Sequence, residues 1–183
     1  MIDSDHSGTA IRRGALARFL RNAQKQVGLA GEVNVLITSD AKMRKLNREF
    51  RRKDEPTDVL SFPNSLNGKS EIVGDIAVSA QIARRNAAAR GHSLESELKI
   101  LLLHGLLHLA GHDHESDNGK MARLEQRLRA QLKLPASLIE RMMNGGIKNN
   151  LAAPATLPKA SSSLSSVGNQ PTQAKPRTAR RKP

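Results

Sequence analysis

The run Leu98–His114, LKILLLHGLLHLAGHDH, is the most apolar stretch in an otherwise polar and basic chain, and it carries three histidines, His104, His108 and His114. A chain that buries such a run must give its imidazoles partners, because buried polar groups are costly when left unpaired. That requirement constrains the whole fold. The rest of the sequence is easiest to understand as what surrounds this helix or brings a ligand to it.

In an α-helix, side chains four residues apart lie on one face, one turn above the other. His104 and His108 can therefore aim two imidazoles at one point. A third ligand cannot come from the same straight helix at the angle a tetrahedral ion needs. The chain must turn back, and Gly111 permits this, since glycine commonly ends helices in the left-handed conformation. His114 then follows on the returning segment. Three neutral imidazoles with an open position make a catalytic zinc arrangement, not a closed structural one. Nitrogen ligands also suit nickel, copper or iron. A lone histidine in an apolar helix is more often a satisfied core residue; Gly111 and His114 together favour the metal reading. His112 and Asp113 compete as ligands, and Asp113 could instead accept an imidazole N–H from outside the ligand shell.

The pattern H-x3-H-x2-G-x2-H resembles the metzincin spacing with one alteration. Zincin proteases place Glu, their general base, directly after the first histidine. Here that position is Gly105, so the ligands are kept and the peptidase base is lost. Glycine inside a helix costs about 1 kcal/mol relative to alanine. Its presence predicts a close approach at 105, by a crossing helix or by a substrate backbone.

The 183 residues include no Cys, which excludes a disulfide framework and any thiolate metal site. An all-histidine centre fits that inventory. The N-terminal stretch MIDSDHSGTAIRRG lacks an apolar core, so no signal peptide is expected, and the longest apolar run is too short to span a bilayer. A cytoplasmic location without membrane attachment is the expectation. The net charge of +13 favours a polyanionic partner. The last residues, from 145 on, hold seven Lys/Arg and no acid, and the remainder is basic on its own account. Three Phe and no Tyr or Trp argue against an aromatic base-stacking platform, and nucleic-acid contacts would be mainly to phosphates.

Along the chain, the polar residues 1–8 are expected to fray. Ile11, Ala15, Leu16, Phe19, Ala23 and Val27 recur at helical spacing from Thr9 to about Gly28, with Arg12, Arg13, Arg18, Arg21 and Lys25 on the outer face. Glu32–Thr38 alternates as a strand. A helix follows at about Ala41–Phe50, capped by Ser39 or Asp40, and then a charged loop, Arg51–Thr57, in which Asp54 should find its partner. Asp58–Phe62 and Glu71–Val78 read as strands that could pair as a hairpin, with Gly74 at a bulge or close approach. Ser79 and Ser93 could each cap a helix, the second being the histidine helix. A helix from about Lys120 to Leu132 and a short one beginning at Pro135 complete the pattern. Asp75 stands out as an acid in an apolar strand, either as a partner for an imidazole or proton, or as a residue of a strand-end turn. Residues 147–183 are rich in Ser, Ala, Pro, Asn and Lys and are expected to be a disordered basic tail.

HGLLHLAGHDH resembles the signature of the YbeY family of bacterial endoribonucleases. LNREFRRKDEPTDVLSFP (Leu46–Pro63) and VGDIAVS (Val73–Ser79) resemble two further signatures of that family, in the same order. His112 stands where the family usually has Tyr, and Phe50 where it often does. The elements add up to an α+β fold of three to four strands packed with about five helices around a buried central histidine-bearing helix, and the resemblance implies that the sheet is mixed. It implies a metal-dependent endoribonuclease domain over 1–146, with one divalent ion, zinc first, on His104, His108 and His114. It implies Arg51 as the catalytic cation, because the arginine of the family's LN-x3-R segment falls there; by the residues alone, Arg52 and Lys53 of the same loop could equally face a substrate groove. It further implies RNA as partner, with a role in 16S ribosomal RNA 3′-end maturation and ribosome quality control. The alternatives are a metallopeptidase-like hydrolase and a non-catalytic ribosome-assembly factor with a structural metal.

Overall fold

The computed structural model describes residues 1–4, 11–64, 72–114 and 117–135. The expected tail at 147–183 and the short helix expected after Pro135 lie outside the described residues. The element order is β1 (Ile2–Ser4), α1 (Arg13–Val27), β2 (Glu32–Thr38), α2 (Asp40–Arg51), β3 (Val59–Pro63), β4 (Ile72–Ser79), α3 (Ala80–Ala89), α4 (Leu94–Leu109) and α5 (Lys120–Gln131). This is the expected α+β architecture.

The strands form one mixed sheet in the order β1-β2-β4-β3. β2 runs parallel to β1 and to β4, whereas β3 and β4 pair antiparallel, as the hairpin reading anticipated. Alternation along each strand gives the sheet two apolar faces. Val33, Val35 and Ile37 of β2, Ile76 and Val78 of β4, and Val59 of β3 join the main core with α1 and α4. Leu60, Phe62 and Ala77 point the other way and pack with Met43, Leu46 and Phe50 of α2. α4 is apolar on all sides because it is buried on all sides, with every residue from Ile100 to Leu109 below the surface.

Two boundaries differ from expectation. Residues 2–4 are not frayed: Ile2, Asp3 and Ser4 pair in register with Val35, Leu36 and Ile37. Backbone hydrogen bonding at a sheet edge makes little demand on side-chain polarity, so the sequence IDS gave no periodic cue. α1 begins at Arg13, later than its apolar spacing suggested, and no side-chain cap opens it. Three other helices do open on the serines expected, with Ser39, Ser79 and Ser93 accepting from the N–H of Lys42, Ile82 and Ser96.

Candidate metal centre

The histidine helix ends as its glycine requires. Gly111 has φ 85°, its N–H donates to the His108 carbonyl at 3.0 Å, and the His112 N–H donates to that of Leu107 at 3.1 Å. This left-handed turn satisfies the last carbonyls and sends the chain back across the helix end. It brings His114 beside the pair on the helix. One nitrogen from each of His104, His108 and His114 lies within 4.8 Å of the others, and among the described residues these are the histidines and acids grouped closely enough to share an ion. His112 is not in the group.

Nε2 of His104 and Nε2 of His108 are 3.0 Å apart. Both side chains are buried, at 0% and 1% exposure. Two imidazoles sharing a tetrahedral zinc at about 2.0–2.1 Å stand about 3.3 Å apart, so the pair already has nearly that spacing. His108 is pushed down to about 3, first by burial and then by the neighbouring His104 and His114. It is a neutral imidazole, as a metal ligand must be.

Other polar groups lie behind the imidazoles. Nδ1 of His104 is 3.1 Å from Oε2 of Glu125, and Oε1 of Glu125 accepts from Arg129 at 3.4 Å. Asp58, at the entry to β3, is buried, and its carboxyl is pushed up to about 6, by burial first, with His104 and the Val59 N–H opposing. Glu97, two turns before His104 on α4, is fully buried and bonded to Nε2 of His92 at 2.7 Å.

The space at Gly105 is used by the sheet, not by a crossing helix or a substrate. A Cβ there would lie 3.0 Å from Cδ1 and Cγ2 of Ile76 and 3.1 Å from Oγ of Ser61. Ser61 Oγ donates to the Gly105 carbonyl at 3.2 Å. Gly74 likewise marks a close approach, since its Cβ would fall 2.5 Å from the Phe62 carbonyl oxygen.

Asp75 has neither of the expected roles. It sits within β4 beside Ile76, and because Ile76 faces α4, Asp75 faces the opposite side of the sheet. There its Oδ1 accepts from Asn34 Nδ2 at 3.1 Å. Asp54 binds Arg44 at 2.7 Å and Arg48 at 3.7 Å, folding its loop back on α2. Arg51 closes α2 and is half-buried, while Arg52, which takes the left-handed cap at φ 59°, and Lys53 are exposed.

Glu125 was missed in the sequence. Its cue was an acid on the inward face of an amphipathic helix, at the i+4 position from Met121 and three residues before Leu128, both of which are buried.

Fold and centre together define an α+β protein with a cluster of three imidazoles, two of them buried, at the end of its central helix. The family model described as Endoribonuclease YbeY matches residues 5–133, and the chain belongs to the YbeY family. It is 58% identical over 127 residues to the Endoribonuclease YbeY of Koribacter versatilis, covering 69% of this chain and 82% of that one. It is 52% identical over 134 residues to that of Solibacter usitatus, covering 73% and 88%. A solution structure from Thermotoga maritima aligns at 28% identity with a TM-score of 0.48, over 79% of this chain and 94% of that one. Among the described residues no helix is long and apolar enough to cross a membrane.

Proposed function

We propose that the protein is a single-metal endoribonuclease acting on single-stranded RNA, with its activity in residues 1–146 and a basic extension at 147–183. The carrying observation is the buried group of imidazole nitrogens within 4.8 Å of one another. His104, His108 and His114 hold one divalent ion in this reading, and the all-nitrogen donor set suits zinc. Bound there, the ion supplies Lewis-acid polarisation of a phosphoryl oxygen.

The chain's own residues do the rest. His108 stays neutral through the physiological range and so remains a donor. Arg51 neutralises charge that develops on the phosphoryl group, a task suited to the fixed fork of a guanidinium. Its half-buried place at the end of α2, beside exposed Arg52 and Lys53, separates it from ordinary surface charge. The +13 net charge draws the polyanion to the protein. The family name carried by the relatives supports RNA as the substrate. A role in 16S ribosomal RNA 3′-end maturation and quality control, in the cytoplasm, rests on the family resemblance.

The histidine spacing supports the peptidase reading and Gly105 opposes it, since the position of the peptidase base holds no side chain and a Cβ there would meet Ile76 and Ser61.

The test pairs two measurements on wild type and His108→Ala, purified in parallel: bound metal by elemental analysis, and cleavage of single-stranded RNA on gels. Loss of metal and cleavage together is the expected result. Cleavage that persists without metal would place the activity elsewhere and favour the assembly-factor reading.

A further inference from the structure

His104 and His108 present Nε2 to each other, but their other nitrogens face different surroundings. Nδ1 of His108 is buried and has no hydrogen-bond partner among the described residues. Nδ1 of His104 lies 3.1 Å from Oε2 of Glu125, a residue with no exposed surface. To act as a donor through Nε2, the atom aimed at the shared point, His104 must carry its proton on Nδ1, where Oε2 of Glu125 is placed to accept it.

Glu125 is itself held. Arg129, one turn further along α5, donates to Oε1 at 3.4 Å, and its other terminal nitrogen donates to the Pro135 carbonyl. Met121 and Leu128 are buried on the same face of α5 and seat it on the core. A buried carboxylate without such compensation would be strongly disfavoured. The arrangement thus places a carboxyl directly against Nδ1 of one imidazole, whereas Nδ1 of its neighbour makes no hydrogen bond among the described residues.

We propose that Glu125 is a positioning residue. It fixes His104 as the Nδ1–H tautomer and makes it a stronger donor than His108, while Arg129 holds the carboxylate in place. This rests on the metal reading above, and it assigns unequal weights to ligands that the sequence presents as equivalent. A carboxylate behind a ligating imidazole raises its basicity, and removing one typically weakens metal binding about 10–100-fold.

The test uses the full chain with Glu125→Gln and Glu125→Leu. The first keeps an acceptor but loses the charge; the second loses both. In the metal-free protein, nitrogen-15 NMR of the imidazoles reads the tautomer directly. His104 should be protonated at Nδ1 in wild type, largely so in Glu125→Gln, and mixed in Glu125→Leu. Zinc affinity, read by competition with a chromophoric chelator, should fall about 10-fold in the first variant and toward 100-fold in the second. Unchanged tautomer and unchanged affinity in both variants would overturn the proposal. If Glu125→Leu does not fold, Glu125→Gln decides on affinity, where equality with wild type is the overturning result. Failure of wild type to bind zinc would sink the metal reading instead, and the tautomer measurement would still decide whether Glu125 fixes His104.

Discussion

Nε2 of His108 lies 3.0 Å from Nε2 of His104 inside a water-poor helix end, so protonating His108 forces a cation against a neighbour already in contact. His108 is accordingly pushed down to about 3. An unfolded chain takes up this proton near the ordinary value of about 6.5. The folded chain refuses it until far lower pH. Stability from this group is thus fully present above about 6.5 and is lost as pH falls toward 3. Urea unfolding of metal-free protein at several pH values should show this loss, with a slope of at most about 1.4 kcal/mol per pH unit from His108. His108→Gln should flatten it. Identical slopes in the two proteins would refute the assignment.

Asp58 has the opposite sign. Its carboxyl is raised to about 6, so the folded chain holds a proton that the unfolded chain has already released. The stability is present below the unfolded value, near 4, and is lost as pH rises through 6. Asp58→Asn keeps an acceptor for the Val59 N–H, which Oδ1 now binds at 2.9 Å, and removes the buried charge. Metal-free Asp58→Asn should therefore be more stable than wild type at pH 8, by up to about 3 kcal/mol at about 1.4 kcal/mol per pH unit. The gain should vanish near pH 3.5. A variant less stable than wild type at pH 8 would mean that the carboxylate is compensated in the fold.

The two tight glycines should differ in tolerance. At Gly105 the nearest atoms belong to the Ile76 and Ser61 side chains, which can shift; at Gly74 the nearest is the Phe62 carbonyl oxygen, which cannot without moving β3. Overpacking costs about 1–3 kcal/mol, and alanine recovers about 1 kcal/mol within a helix. Gly105→Ala should lose no more than about 2 kcal/mol, and Ile76→Val should partly rescue it. Gly74→Ala should sit at or above the top of that overpacking range. Chemical denaturation of both variants and of the double variant settles the order.

Arg51→Ala should retain its metal and its fold while RNA cleavage falls about 10²–10³-fold, the range for removing one charge-stabilising donor. Arg52→Ala, at the exposed cap position, should cleave nearly as wild type does. Elemental analysis beside single-turnover cleavage separates these outcomes. Equal loss in both variants would point to general charge attraction instead of a specific role for Arg51.

What could be read in the sequence was whatever local chemistry specified. β2 matched its alternation residue for residue, and α4 opened on Ser93 and turned at Gly111 because caps and left-handed glycines act within a few residues. The approach of His114 to the helix pair followed from the same turn. The contacts that escaped were between elements distant in sequence. Glu125 reaches His104 across 21 positions, and Ser61 reaches Gly105 across 44. Asp75 was drawn toward the centre by its apolar neighbours, although strand alternation turns it to the other face. β1 left no cue because its pairing is made by main-chain groups.

The Ser61–Gly105 contact also bears on how this protein tolerates change. The separation of α4 from the sheet is set where a helix backbone with no Cβ rests on Ile76 and takes a hydrogen bond from Ser61. The height of the imidazoles above the strands is thereby gauged where the α4 main chain meets the side chains of Ile76 and Ser61. Leucines elsewhere on α4 can drift among residues of similar volume without tilting the helix at that point. A change of bulk at Ile76 or Ser61 should therefore move the imidazoles relative to the sheet more directly than a volume-conserving change at a leucine elsewhere on α4.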